Sequence, residues 1–74
     1  MQLYRSAGSS GVAAYETGPD FIRVKFWHGA TYEYDHATTG QFHVERMKML
    51  ARSGEGLATF ISKFVKAAYA RREP

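Results

Sequence analysis

Ile22-Arg23-Val24-Lys25-Phe26-Trp27-His28-Gly29-Ala30-Thr31-Tyr32-Glu33-Tyr34 is the stretch whose reading decides the fold. Ile22, Val24 and Phe26 alternate with Arg23, Lys25 and Trp27. Ala30, Tyr32 and Tyr34 alternate with Thr31, Glu33 and Asp35. Period-two alternation of β-branched and aromatic residues with polar ones marks two half-buried strands. Gly29 is the turn residue that takes positive φ without strain. A three-residue loop with its glycine last makes Trp27-His28-Gly29 the turn and sets Phe26 opposite Ala30. Val24 then faces Tyr32, Ile22 faces Tyr34, and Arg23 lies opposite Glu33 on the other side. A two-residue turn at His28-Gly29 is the rival. It would gather Tyr32 and Tyr34 with Arg23, Lys25 and Trp27 into a base-stacking platform. It would also push Glu33 and Asp35 into the apolar face, where unpaired carboxylates are costly. Register follows the buried face, so the first pairing is expected.

Outward from the hairpin, Ser9–Glu16 reads as a preceding strand anchored by Val12 and Tyr15. Their odd spacing requires a bulge if both face the core. Thr17-Gly18-Pro19-Asp20 is a turn. After the hairpin, Thr38 and Gln41 have capping-box spacing. From Gln41 to Arg52 the apolar residues cover more than half of a helical wheel, leaving Glu45, Lys48 and Arg52 as the polar stripe. That breadth implies contact on two sides. Ser53-Gly54-Glu55-Gly56 breaks the helix, with Gly54 as its stop and Ser53 or Gly54 as the next cap. Leu57, Phe60, Ile61, Phe64, Val65 and Ala68 recur at helical spacing, and the basic end Arg71-Arg72 suits a helix C-terminus. The expected class is α+β: a three-stranded antiparallel meander followed by two helices on one sheet face. Residues 1–8, without a clear period, read as a flexible arm or a short edge segment, 9–70 as one domain and 71–74 as a tail. Val24, Phe26, Tyr32, Tyr34, Leu50, Leu57, Ile61 and Phe64 are the expected core.

The chain has 74 residues and no cysteine, which excludes disulfides and thiolate metal sites. A domain of this length buries only about 60% of its unfolded surface. No apolar run approaches the ~20 residues that span a bilayer, and the start lacks the apolar core of a signal peptide. A cytoplasmic location is expected. The net charge of +3 comes from the second half, which carries Arg46, Lys48, Arg52, Lys63, Lys66, Arg71 and Arg72 against three glutamates. Such asymmetry points to an anionic partner.

The pattern Phe26-x-x-Gly29-x-x-Tyr32-x-Tyr34 resembles the central motif of the KTSC domain. Ser9-Ser10-x-Val12 and Leu50-Ala51-x-Ser53-Gly54 ahead of Phe60-Ile61 extend the similarity over roughly residues 9–70. The chain departs from the family pattern at Asp35-His36-Ala37-Thr38, where a Val-Pro is common. It departs again at Thr59–Ser62, where the last helix often has an Asn. That family occurs at the C-terminus of some lysyl-tRNA synthetases and as short bacterial proteins. The resemblance implies a single small domain, no assigned activity, and RNA as a partner suggested by the synthetase context.

His28, His36 and His43 match no metal-ligand spacing. Ser9, Ser10, Asp35 and His36 supply the residue types of a hydrolytic triad, but no strained nucleophile turn accompanies them. No phosphate-cradling loop is present. The expectation is therefore a non-enzymatic binding module without cofactor or metal. RNA contact is expected through Lys48, Arg52, Lys63, Lys66, Arg71 and Arg72 on the outer helical faces, with Trp27 as a stacking contact. The alternative is a protein-interaction or self-association module, using the broad apolar surface of the first helix or an open sheet edge.

Overall fold

The structure is a computed structural model, and it describes residues 1–5 and 11–74. Ser9 and Ser10, expected to begin the first strand and to carry part of the resemblance, lie outside the described residues. The architecture is α+β, with five strands rather than three in one antiparallel sheet. In chain order these are β1 (Gln2–Leu3), β2 (Val12–Thr17), β3 (Phe21–Phe26), β4 (Thr31–Asp35) and β5 (Arg71–Glu73). They stand side by side in the same order. The two additional strands come from the expected arm and the expected tail. Each is only two or three residues long and takes its shape from the neighbour it pairs with, so neither has a period of its own to read.

The central hairpin has the first register. Ile22 pairs with Tyr34, Arg23 with Glu33 and Val24 with Tyr32. Phe26 N–H donates to Ala30 O at 3.0 Å, and Gly29 N–H donates to Phe26 O at 2.9 Å. Gly29 has φ +108°. On β2 the pairing steps from Val12↔Phe26 to Ala14↔Lys25. Ala13 is the extra residue of a bulge, and that bulge turns both Val12 and Tyr15 into the core.

Two helical segments follow: α1 (Gln41–Ser53), and α2 (Leu57–Phe60), which runs directly into a π-helical turn at Ile61–Val65. Gly40 stands at the start of α1 without a side-chain cap. The expected capping box is absent because the cap falls on Gly40, two residues after Thr38, whose N–H is taken by Asp35 Oδ1 at 2.7 Å. Gly54 ends α1 in the left-handed conformation, its N–H donating to Leu50 O. Gly56, not Ser53 or Gly54, opens α2.

Val44, Met47, Ala51, Leu57, Ile61 and Val65 pack with Val12, Tyr15, Ile22, Val24 and Tyr34 in one core on one face of the sheet. Of the expected core, Val24, Tyr34, Leu57 and Ile61 are buried, and Phe26, Tyr32 and Leu50 pack against it half-buried. Phe64 is outside, 60% exposed. The cause is helix winding. Lys66 N–H reaches back five residues to Ile61 O at 2.7 Å. A turn that wide keeps Val65 in line with Ile61 but swings the intervening Phe64 outward. Lys66 then takes φ +42° and ends the helix, well before the expected Ala68. Ala70 N–H donates to Glu33 O at 2.7 Å, which starts the pairing of β5 with β4.

The opposite sheet face is open and charged. Arg23 sits at its centre, 3.2 Å from Glu16 and 3.7 Å from Glu33, and it also pairs with Glu73.

Candidate functional site

The basic residues expected to form an RNA-binding surface are separated by the fold. Lys48 is not on the polar stripe of α1 but buried, 5% exposed. Its ammonium donates to Gly18 O at 2.7 Å and Pro19 O at 3.2 Å. Glu45 Oε2 lies 2.8 Å from the same nitrogen and also accepts from His36 Nε2 at 2.8 Å. The Lys48 bond, then the His36 bond, holds the Glu45 carboxyl below its ordinary value of 4.5. A helical wheel assigns Lys48 outward. The β2–β3 turn carbonyls, which need a donor, draw it inward.

Arg52 is exposed, and with Arg5, Gln2 and Leu3 it lines a shallow depression of about 400 Å³ beside β1. Arg71 and Arg72 lie at the other edge of the sheet, in β5 rather than at a helix end. Arg72 Nε donates to the Tyr32 hydroxyl at 3.3 Å, and its Cζ is 5.7 Å from the Tyr32 ring centroid. That bond raises the Arg72 pKa above its ordinary value. Tyr32 in turn stacks on Tyr69 with centroids 4.9 Å apart. Lys63 and Lys66 are exposed, and Trp27 is 72% exposed at the hairpin tip. β1 and β5 are opposite edges, so Arg52 and the Arg71–Arg72 pair do not form one patch.

A different surface is built between α1 and the α2 segment. An open groove of about 710 Å³ is lined by Phe42, His43, Leu50, Phe60 and Phe64, with Arg46 and Lys63 in its walls. Phe60 and Phe64 rings lie 4.9 Å apart, and His43 meets Phe60 edge-on at 5.6 Å. Phe42 is 81% exposed. Phe42 and Arg46 also border a second concavity of about 570 Å³ on the outer side of α1, shared with Met49, which is 58% exposed. The cause lies in the sequence of α1. Val44, Met47 and Ala51 take the core side, so Phe42 and Met49, two turns apart, must point away from it. The wide π-helical turn adds Phe64 to the same side. His43 Nδ1 is enclosed here with no hydrogen-bond partner among the described residues.

The two-sided apolar surface of α1 was readable from its broad wheel. Arg46 and the aromatic set Phe42, Phe60 and Phe64 were not readable as a site. Among the described residues, no three of His, Asp and Glu are grouped to hold a metal ion, and no helix is long and apolar enough to cross a membrane. No family model, no curated protein and no solved structure matches the chain.

Proposed function

We propose that this chain is a small, non-enzymatic, KTSC-like protein-interaction module whose docking surface is the α1–α2 groove. The observation that carries the reading is Phe42, 81% exposed at the junction of two concavities. Isolated apolar residues on a surface are ordinary. Here Phe42 and Phe64 are exposed beside half-buried Phe60 and Leu50 around one groove, with Met49 across the Phe42 ridge, and grouped apolar exposure of this kind marks interaction sites.

The magnitude favours a reversible complex. Fully covering a Phe or Met side chain stabilises by about 1.5–3 kcal/mol. Phe42, Met49 and Phe64, exposed to 81%, 58% and 60%, therefore together offer roughly 3–6 kcal/mol. Association costs at least about 4 kcal/mol in lost freedom. The small surplus falls short of the roughly 8 kcal/mol of a micromolar complex, so these side chains alone support a weak, exchanging partner rather than a permanent one.

RNA binding has less support than the sequence suggested. Lys48 is spent on turn carbonyls, Arg52 beside β1 and the Arg71–Arg72 pair in β5 lie at opposite sheet edges, and Lys63 lines the groove. A phosphate-led interface needs them contiguous.

The test is affinity capture on immobilised protein from its own cells, with and without nuclease, beside a Phe42→Ser, Phe64→Ser double variant. Phe42 is largely exposed and Phe64 packs on Phe60 and His43, so the variant should stay folded with a loss of about 1–2 kcal/mol. A nuclease-resistant partner lost in the variant is expected. A nuclease-sensitive partner that the variant retains would overturn the reading in favour of nucleic acid.

A further inference from the structure

We infer that the groove takes an acidic amphipathic α-helix, an inference that rests on the groove being a docking surface. Two helical segments flank an open trough lined by half-buried Phe60 and by exposed Phe42 and Phe64. A third helix laid in such a trough buries its apolar stripe, with anchors at i, i+3 or i+4, and i+7.

The charge of the walls selects the sign of the partner. Arg46 and Lys63 line the groove, both exposed, and neither has an ion-pair partner among the described residues. The nearby carboxylate, Glu45, is already held by Lys48 and His36. The chain as a whole carries +3, which steers anionic partners towards it. Carboxylates flanking the apolar stripe of an incoming helix would meet Arg46 and Lys63 at the rim, where charge sets choice and on-rate more than raw affinity.

A second copy of this chain fits the groove less well. A two-fold contact is self-complementary and brings the same patch against itself. The positive rim that carries Arg46 and Lys63 would then meet a rim of the same sign. Single-stranded RNA fits less well for a different reason. Such strands track a series of cations along their backbone while bases stack on exposed ring faces. This groove offers two cations, and its Phe60, Phe64 and His43 rings are turned onto one another at 39° and 75°.

The experiment is selection of random 16-residue peptides displayed on phage against the intact protein. The Phe42→Ser, Phe64→Ser variant serves as counter-target. Expected are peptides enriched in Leu or Phe at helical spacing with flanking Asp and Glu, which gain helix on binding. Their dissociation constants should rise about tenfold or more for Arg46→Glu, Lys63→Glu, and the same double variant should select basic peptides instead. Groove-dependent peptides with no acidic bias, indifferent to the charge swap, would overturn the inference while leaving the groove as a docking surface. No peptide that distinguishes the protein from the counter-target would overturn both. Two further measurements act against the inference: sedimentation showing a dimer abolished by the Phe variant, or groove-dependent binding of a 12-nucleotide oligo(U) tighter than any selected peptide.

Discussion

Replacing Lys48 by methionine separates a structural lysine from a surface one. Methionine keeps most of the apolar stem and removes the ammonium. Lys48 is 5% exposed, with Nζ 2.7 Å from Gly18 O and 3.2 Å from Pro19 O. Hydrogen bonds from a charged donor contribute about 1.5–3 kcal/mol each when the acceptor is left without a replacement. The two carbonyls remain in the variant, so the change is not an exchange of one satisfied packing for another. The ion pair with Glu45 adds little, because that carboxylate's side chain is 47% exposed and solvent screens it. Pro19 is exposed, so water replaces its longer bond and the Gly18 bond carries most of the effect. The expected loss for Lys48→Met is therefore about 2–3 kcal/mol, and the loss for Glu45→Gln is smaller. In a domain this small each kcal/mol moves the melting temperature by about 4–8 °C, so Lys48→Met should melt about 8–24 °C lower. Urea and thermal unfolding followed by far-ultraviolet circular dichroism measure both variants. A Lys48→Met protein within 0.5 kcal/mol of the parent, or one no less stable than Glu45→Gln, would refute the reasoning and return Lys48 to the surface.

Gly29→Ala should destabilise by more than about 1 kcal/mol, from backbone conformation alone. At φ +108° an added Cβ meets nothing within 4 Å, so an unchanged melting temperature would contradict the turn. Tyr34→Phe should leave stability unchanged or raise it by about 1 kcal/mol in urea unfolding. Its buried hydroxyl has no hydrogen-bond partner among the described residues, and an unpaired buried polar group is a cost. Burial first, then Tyr32 and Tyr69, push that hydroxyl's pKa far up, so its ultraviolet titration should stay silent in alkali until the chain unfolds. Glu45 is held below 4.5 in the folded state. Its contribution is present above the unfolded value and lost as pH falls through the folded one. Stability measured from pH 5 downward should therefore fall less steeply in Glu45→Gln than in the parent.

The hairpin was legible because two local signals agreed. Alternation identified the buried face, and one glycine fixed the turn. The bulge on β2 was legible as a condition, since Val12 and Tyr15 could share the core in no other way. The C-terminal edge strand was not legible, and the N-terminal one was legible only as an alternative to a flexible arm. Gln2–Leu3 and Arg71–Glu73 are shaped by pairing with β2 and β4, and Arg71-Arg72 also suits a helix end. Lys48 was misread because a helical wheel knows nothing of the carbonyls a distant turn brings to it. Phe64 was misread because an α period was assumed where the winding is wider. Both errors bore on the site. The first removed a cation from the expected RNA surface, and the second moved an aromatic ring from the core to the groove.

The most direct measurement is photo-crosslinking in the native cells, with p-benzoylphenylalanine at position 42 and, in a separate protein, at position 25 on the open sheet face. Both positions are exposed, so neither substitution should disturb folding. A discrete protein adduct from position 42, and none from position 25, is the result predicted for a groove that docks a partner. Adducts only from position 25, or adducts at position 42 that are nucleic acid, would contradict it.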